Sequence, residues 1–161
     1  MAGRSTGSFL EGEHREFVDA LEVDDRGRIS LPPQAREGFS WVGPGKGLWG
    51  VLEQEGRVRL LPLEAGASAL ALGSRLATSA KSGDDSAADR LLLLVDRYRR
   101  LSVETTQARM QLPLAVVAHL DPTPPPFTAY VARFPAHLEL WGRSYRLLRL
   151  SRAPRELEDL P

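Results

Sequence analysis

The strongest constraint on this chain is that one of its segments occurs twice. Val23-Asp24-Asp25-Arg26-Gly27-Arg28-Ile29-Ser30-Leu31-Pro32 returns as Val103-Glu104-Thr105-Thr106-Gln107-Ala108-Arg109-Met110-Gln111-Leu112-Pro113. Arg28 and Arg109 stand 81 positions apart, and Pro32 and Pro113 are separated by the same interval. A repeat of this length predicts two copies of one folding unit. The copies are chemically unequal. The first carries an acidic residue, a turn glycine and a closing arginine; the second keeps the arginine and lacks the aspartate and the glycine.

The residues around each copy predict the same order of elements. From Phe17 the chain alternates, with Phe17, Asp19, Leu21 and Val23 on one side and Val18, Ala20 and Glu22 on the other, which reads as a strand. Asp25-Arg26-Gly27 supplies turn chemistry, with Gly27 able to take a positive φ. Arg28 to Leu31 resumes extended structure, and Pro33 to Phe39 reads as a short helix opened by proline. Beyond the Gly43–Gly47 loop, Leu48 to Glu53 and Arg57 to Leu61 flank Gln54-Glu55-Gly56 as a hairpin. Helices are expected over Ala65–Ala80 and Ser86–Asp96. The second pass then gives strands at Leu101–Glu104 and Arg109–Leu112 and a short helix at Leu114–Leu120. A stiff proline-rich spacer leads to a hairpin of Phe127–Arg133 and His137–Trp141.

The chain therefore divides into a mobile Gly/Ser-rich stretch at 1–12, a first unit with its trailing helix at 13–80, a connecting helix with the second unit at 81–150, and a charged tail at 151–161 assigned no structure. Neither unit has apolar surface enough to close alone, so the two should interlock. The fold class expected is α+β, mostly short strands with short helices, related by a pseudo-twofold axis.

Formal net charge is zero, which alone does not point to a strongly basic nucleic-acid binder. Of the basic residues only Lys46 and Lys81 are lysine. Arginine's planar fork suits phosphate and base edges, although GC-rich coding produces the same skew. With no cysteine there is no disulfide framework and no thiolate metal site. Met1 to Ser8 lacks the apolar stretch of a signal peptide, and Leu91-Leu92-Leu93-Leu94-Val95 is too short to span a bilayer. A soluble cytoplasmic protein without a membrane partner is expected.

Other signals carry less. Gly43-Pro44-Gly45-Lys46-Gly47 has Ser40 where a phosphate loop begins with glycine and Gly47 where magnesium needs a hydroxyl, so it reads as a turn-rich connection. His14, His119 and His137 form no ligand pair, and no catalytic triad can be defended, so neither a metal, a cofactor, a small-molecule substrate nor an enzymatic role is expected. Trp41, Trp49 and Trp141 read as buried in the core or between protomers. Arg97, Tyr98, Arg99 and Arg100, the densest basic run, could touch phosphates or snorkel from the basic end of a helix, and the helix end is the favoured reading.

Asp24-Asp25-Arg26-Gly27-Arg28 followed by Ile29-Ser30-Leu31-Pro32 resembles the D-x-x-x-R segment of MraZ proteins, which belong with the AbrB-like swapped-hairpin DNA-binding domains. The likeness continues through Leu48–Glu53 and Arg57–Glu64, and resumes with Arg109–Pro113 and His137–Trp141, covering most of residues 13–146. It implies tandem AbrB/MraZ-like swapped-hairpin, double-psi-type units. It also implies a nucleoid-associated transcriptional regulator of division and cell-wall genes, which binds double-stranded DNA at short repeated boxes as a homo-oligomer, arranged as a ring. Carried onto this chain, Arg28 is the candidate for base-edge or phosphate contact, Arg26 for phosphate, and Asp24 for orienting Arg28 through a charge-assisted bond. Arg36, in the helix that follows, and Arg109, in the second copy, complete the candidate DNA-binding set. On an extended segment Asp24, Arg26 and Arg28 would share a face, with the turn at Gly27 interrupting that alternation.

The second copy departs from the pattern. Thr105 stands where aspartate is expected and Ala108 where glycine is, and the helix after it carries no counterpart of Arg36. Either the second DNA contact is weakened or this copy has become mainly architectural. The neutral charge and the eroded motif keep a second function class open, an oligomerisation or protein-binding scaffold that retains the fold without DNA.

Overall fold

The two copies of the duplicated segment share a left-handed turn residue and the short strand that follows it. In a computed structural model, residues 17–104 and 107–158 are described, 152–158 by their backbone alone. The expected mobile stretch 1–12, together with Thr105, lies outside the described residues. Gly27 takes φ +77° and its counterpart Ala108 takes φ +55°, so both turns pass through the left-handed region although one lost its glycine. The first turn closes with Asp24 N–H on the Arg28 carbonyl at 3.0 Å, the second with Glu104 N–H on the Arg109 carbonyl at 2.8 Å.

The first half holds strands β1 (Phe17–Val23) and β2 (Arg28–Ser30), the single-turn helix α1 (Pro33–Arg36), and the hairpin β3 (Gly47–Leu52) and β4 (Arg57–Pro62). Helices α2 (Ala67–Lys81) and α3 (Asp85–Arg97) form a hairpin leading to the second half. There the order returns as β5 (Tyr98–Ser102), β6 (Arg109–Gln111), α4 (Leu114–Leu120), β7 (Phe127–Arg133) and β8 (Leu138–Trp141), followed by α5 (Arg143–Glu158). Helix α1 is shorter than its sequence predicts: Glu37 has left the helical conformation and forms a turn with Gly38, which takes φ +81°. Two further expectations are corrected. The basic run does not end a helix, because only Arg97 belongs to α3 while Tyr98, Arg99 and Arg100 open β5. The tail assigned no structure from Ser151 continues α5 as far as Glu158.

The fold is α+β with an antiparallel main sheet, and its topology explains why neither half could close alone. Six strands run in the order β1-β7-β8-β4-β3-β5. Exchanging each strand for its counterpart in the other half reverses that order onto itself. Thus β1 of the first half pairs with β7 of the second, and β5 of the second pairs with β3 of the first. A separate two-stranded ribbon joins β2 to β6, with Ile29 opposite Met110 at its midpoint. Counterpart bonds cross between the halves beside it, Leu31 N–H to the Ala108 carbonyl at 3.2 Å and Leu112 N–H to the Gly27 carbonyl at 2.9 Å. The pseudo-twofold axis passes through the Ile29–Met110 pair.

One core serves both halves: Leu21, Val23, Ile29, Leu31, Leu48 and Leu60 pack with Leu101, Met110, Leu112, Leu120, Val131 and Leu140. Burying side chains of this size contributes about 2 kcal/mol each, and here that gain is available only when both halves are present. The polar ties cross as well. Arg133 of β7 donates Nη1 to the Ala35 carbonyl at 3.1 Å at the end of α1, and its guanidinium lies 4.1 Å from the Phe39 ring centroid. His119 of α4 bonds through Nε2 to the carbonyls of Gln54 at 2.9 Å and Arg57 at 3.1 Å. On the opposite face of the sheet Trp141 and Tyr145 form a smaller cluster under α5. No helix among the described residues is long and apolar enough to cross a membrane.

Candidate nucleic-acid interface

The turn after β1 is built around Asp24. Its Oδ1 accepts from the backbone N–H of Arg26 at 2.9 Å and of Arg28 at 2.8 Å, and its Oδ2 accepts from Arg28 Nε at 2.9 Å. An aspartate that binds its own turn in this way fixes the following residue's backbone and side chain together. The carboxyl is held below its ordinary value, first by the Arg28 backbone N–H and then, against some desolvation, by the Arg26 N–H and the Arg28 side chain. The Arg28 side chain is 31% exposed, neither entombed nor fully solvated. Because Asp24 takes Nε, the outer fork of the guanidinium is not what anchors it.

Pairing places the second arginine. On the β2–β6 ribbon Arg28 lies opposite Gln111, and Ser30 lies opposite Arg109. Alternation puts these four on one face while Ile29 and Met110 are buried on the other. Arg28 and Arg109 are therefore diagonal neighbours on a polar ribbon face, about 7–8 Å apart along the backbone. The ribbon is braced by Gln111, whose Nε2 donates to the Arg26 carbonyl at 2.6 Å.

An open groove of about 570 Å³ runs between this ribbon and β1. Asp24, Arg28, Arg36 and Arg109 all line it, so four of the five residues singled out from sequence come together. Arg36 reaches it from α1 with Nε bonded to the Leu31 carbonyl at 3.1 Å. Arg26 is not among them. It sits exposed at the turn's tip, and the bend at Gly27 breaks the alternation that would have aligned it with Asp24 and Arg28. The groove also holds Asp19 and Glu22 from β1, which sequence reasoning had not assigned to the site. With Asp24 they set three carboxylates beside three guanidiniums. Their signal was present in the β1 alternation, where Asp19 shares a side with Leu21 and Val23, but nothing local showed that the free edge of β1 would border the ribbon.

A second polar cluster was missed altogether. Glu139 on β8 is 1% exposed and accepts four bonds: from Arg57 Nε at 3.0 Å and Trp141 Nε1 at 2.7 Å on Oε1, and from Arg57 Nη2 at 2.8 Å and His137 Nε2 at 3.0 Å on Oε2. Burial pushes its pKa up, but the bonds from His137, Arg57 and Trp141 together outweigh that and bring it down to about 2. The Arg57 guanidinium is raised in turn, chiefly by its bond to Glu139. The available signal was the period of two in His137-Leu138-Glu139-Leu140-Trp141, which puts the acid on one face with a histidine and a tryptophan. This cluster ties β4 to β8 across the pseudo-axis, with β7 standing between it and β1 in the sheet.

Among the described residues no three His, Cys, Asp or Glu side chains gather so as to hold a metal ion. Gly43–Lys46 is a docking loop: Gly45 N–H bonds the Val103 carbonyl at 2.9 Å, and Val103 N–H bonds the Lys46 carbonyl at 2.9 Å. No family model matches the chain, and no curated protein matches it.

Proposed function

We propose that this protein is a double-stranded-DNA-binding transcriptional regulator of the MraZ kind, made of two AbrB-like swapped-hairpin, double-psi-type units in one chain and acting as a homo-oligomer on short repeated boxes. One observation carries the reading. Arg28, Arg36 and Arg109, drawn from both halves, border a single open groove, and Arg28 is held in place by Asp24. A two-stranded ribbon is narrow enough to enter the major groove, where arginine's fork matches guanine O6 and N7. Arg28 then reads a base edge with its outer fork while Asp24 fixes its orientation. Arg26, exposed at the tip, contacts phosphate and positions the ribbon. Zero net charge is compatible with this because the field of one face, not the sum, meets the duplex. Several protomers on neighbouring boxes multiply a modest affinity.

The test is duplex binding with DNA from upstream of the protein's own gene, at two salt concentrations. Arg28→Ala should cost about 1–3 kcal/mol and relax base preference, whereas Arg26→Ala should weaken all sequences alike. Equal losses on specific and random duplex from both variants would end this division of roles.

A second reading has its own observation. Asp19, Glu22 and Asp24 balance the three arginines in the groove, a pattern better matched to a zwitterionic protein surface than to a row of phosphates. On that reading the chain is an oligomerisation or protein-binding scaffold. A steep fall of duplex affinity with salt favours the regulator; no binding even at low salt favours the scaffold.

A further inference from the structure

Leu114 is the most exposed large apolar side chain among the described residues, at 82%. A lone exposed leucine is ordinary on a protein surface. What distinguishes this one is the place the pseudo-axis gives it. The same interval that relates Arg28 to Arg109 relates Pro33 to Leu114 and Arg36 to Val117. Pro33 and Arg36 line the groove with Arg28 in the first half. Of their counterparts on α4, Val117 is buried in the core and only Leu114 is exposed.

Helix α4 is packed directly onto the turn that carries Arg26 and Arg28. A Cβ added to Gly27 would stand 3.3 Å from Val117 Cγ2 and 3.6 Å from the Leu112 carbonyl. Leu114 opens α4 three residues before Val117, so the two are neighbours on the helix surface. On this side Arg36's place is taken by the buried Val117, and the exposed side chain that α4 offers is Leu114, the counterpart of Pro33. A phosphate offers such a side chain nothing. On the major-groove edge of a base pair the apolar group is the 5-methyl of thymine.

Resting on the regulator reading above, we propose that Leu114 is a specificity-determining residue that packs against a thymine methyl beside the base read by Arg28. The eroded second copy then has its own role. It supplies an apolar base contact where the first copy supplies charge, and the two sides of the ribbon read different chemistry.

Full-length protein would be used to select duplexes from a random-sequence pool. Each thymine of the selected site would then be replaced by deoxyuridine, which removes the methyl and leaves every hydrogen-bonding group in place. At one position the wild-type protein should lose about fourfold in affinity, the value of one buried methyl group. Leu114→Ala should abolish that dependence at that position alone, and Leu114→Met should retain most of it. An unchanged uracil penalty in Leu114→Ala, or a selected site without thymine, overturns the proposal while leaving DNA binding intact. Dissociation of the oligomer by Leu114→Ala in sedimentation, with thymine dependence preserved, also overturns it and makes the leucine a contact between protomers. Absence of any duplex binding at low salt sinks the regulator reading itself, and this proposal with it.

Discussion

Removing the Arg57 side chain tests whether the Glu139 cluster holds the sheet together. Glu139 is 1% exposed, and Arg57 supplies two of its four bonds, so Arg57→Met leaves a buried carboxylate with only Trp141 and His137. Stranding a buried charge in this way costs about 3–5 kcal/mol. The double variant Arg57→Met/Glu139→Met removes both charges and should recover most of that loss, because the pair's mutual attraction largely offsets its own desolvation. The same bonds also make stability depend on pH. Glu139 falls from the ordinary 4.5 to about 2 on folding, which corresponds to about 3 kcal/mol at neutral pH. Since the folded value is the lower one, this stability is present above pH 4.5 and is lost as pH falls towards 2. Urea unfolding followed by tryptophan fluorescence, at pH 7 and at pH 3, measures both effects, with Trp141 in the cluster as reporter. A loss below about 1 kcal/mol in Arg57→Met would refute the reasoning. So would an acid sensitivity that Glu139→Gln leaves unchanged.

Two further outcomes follow from backbone geometry. A Cβ on Gly142 would collide with the Leu120 carbonyl oxygen, so Gly142→Ala should cost about 3 kcal/mol or more and lower the melting temperature sharply; an unaltered melt would contradict the close approach. At the two equivalent turns the signs should differ. Gly27→Ala should cost about 1–2 kcal/mol, since it adds a Cβ at φ +77° within 3.3 Å of Gln111 Nε2 and Val117 Cγ2, whereas Ala108→Gly should gain up to about 1 kcal/mol. Denaturant midpoints moving in the same direction for both would show that the turns are not equivalent.

The repeat made the architecture legible because each half carries its own local signals. Alternation located β1, the left-handed residue located the turn at Gly27, and α4 and β7 fall on the residues their patterns indicate. Where local signals conflicted, the reading slipped. Arg97, Arg99 and Arg100 look like the charged end of a helix until β3 takes Tyr98–Ser102 as its partner strand. Proline at 154 and a run of charges hid the continuation of α5. The candidate site was half legible. Asp24 and Arg28 are neighbours in sequence and their bond follows from the turn, but the approach of Asp19 and Glu22 depends on how β1 lies beside the ribbon. The Arg57–Glu139 pair joins residues 82 positions apart, and no window of sequence contains both.

The exchange of first strands has a consequence for how such a chain can vary. Were the same body assembled from two separate identical polypeptides, every substitution would appear at both tips at once, and a change that spoiled one contact would spoil its mirror. Joining the halves through α2 and α3 removes that coupling. Each tip can drift by itself while the shared interior keeps them in register. An arginine on one flank whose counterpart on the other is a buried valine is an asymmetry that two copies of one chain could not hold, and it lets a nearly symmetric object tell left from right.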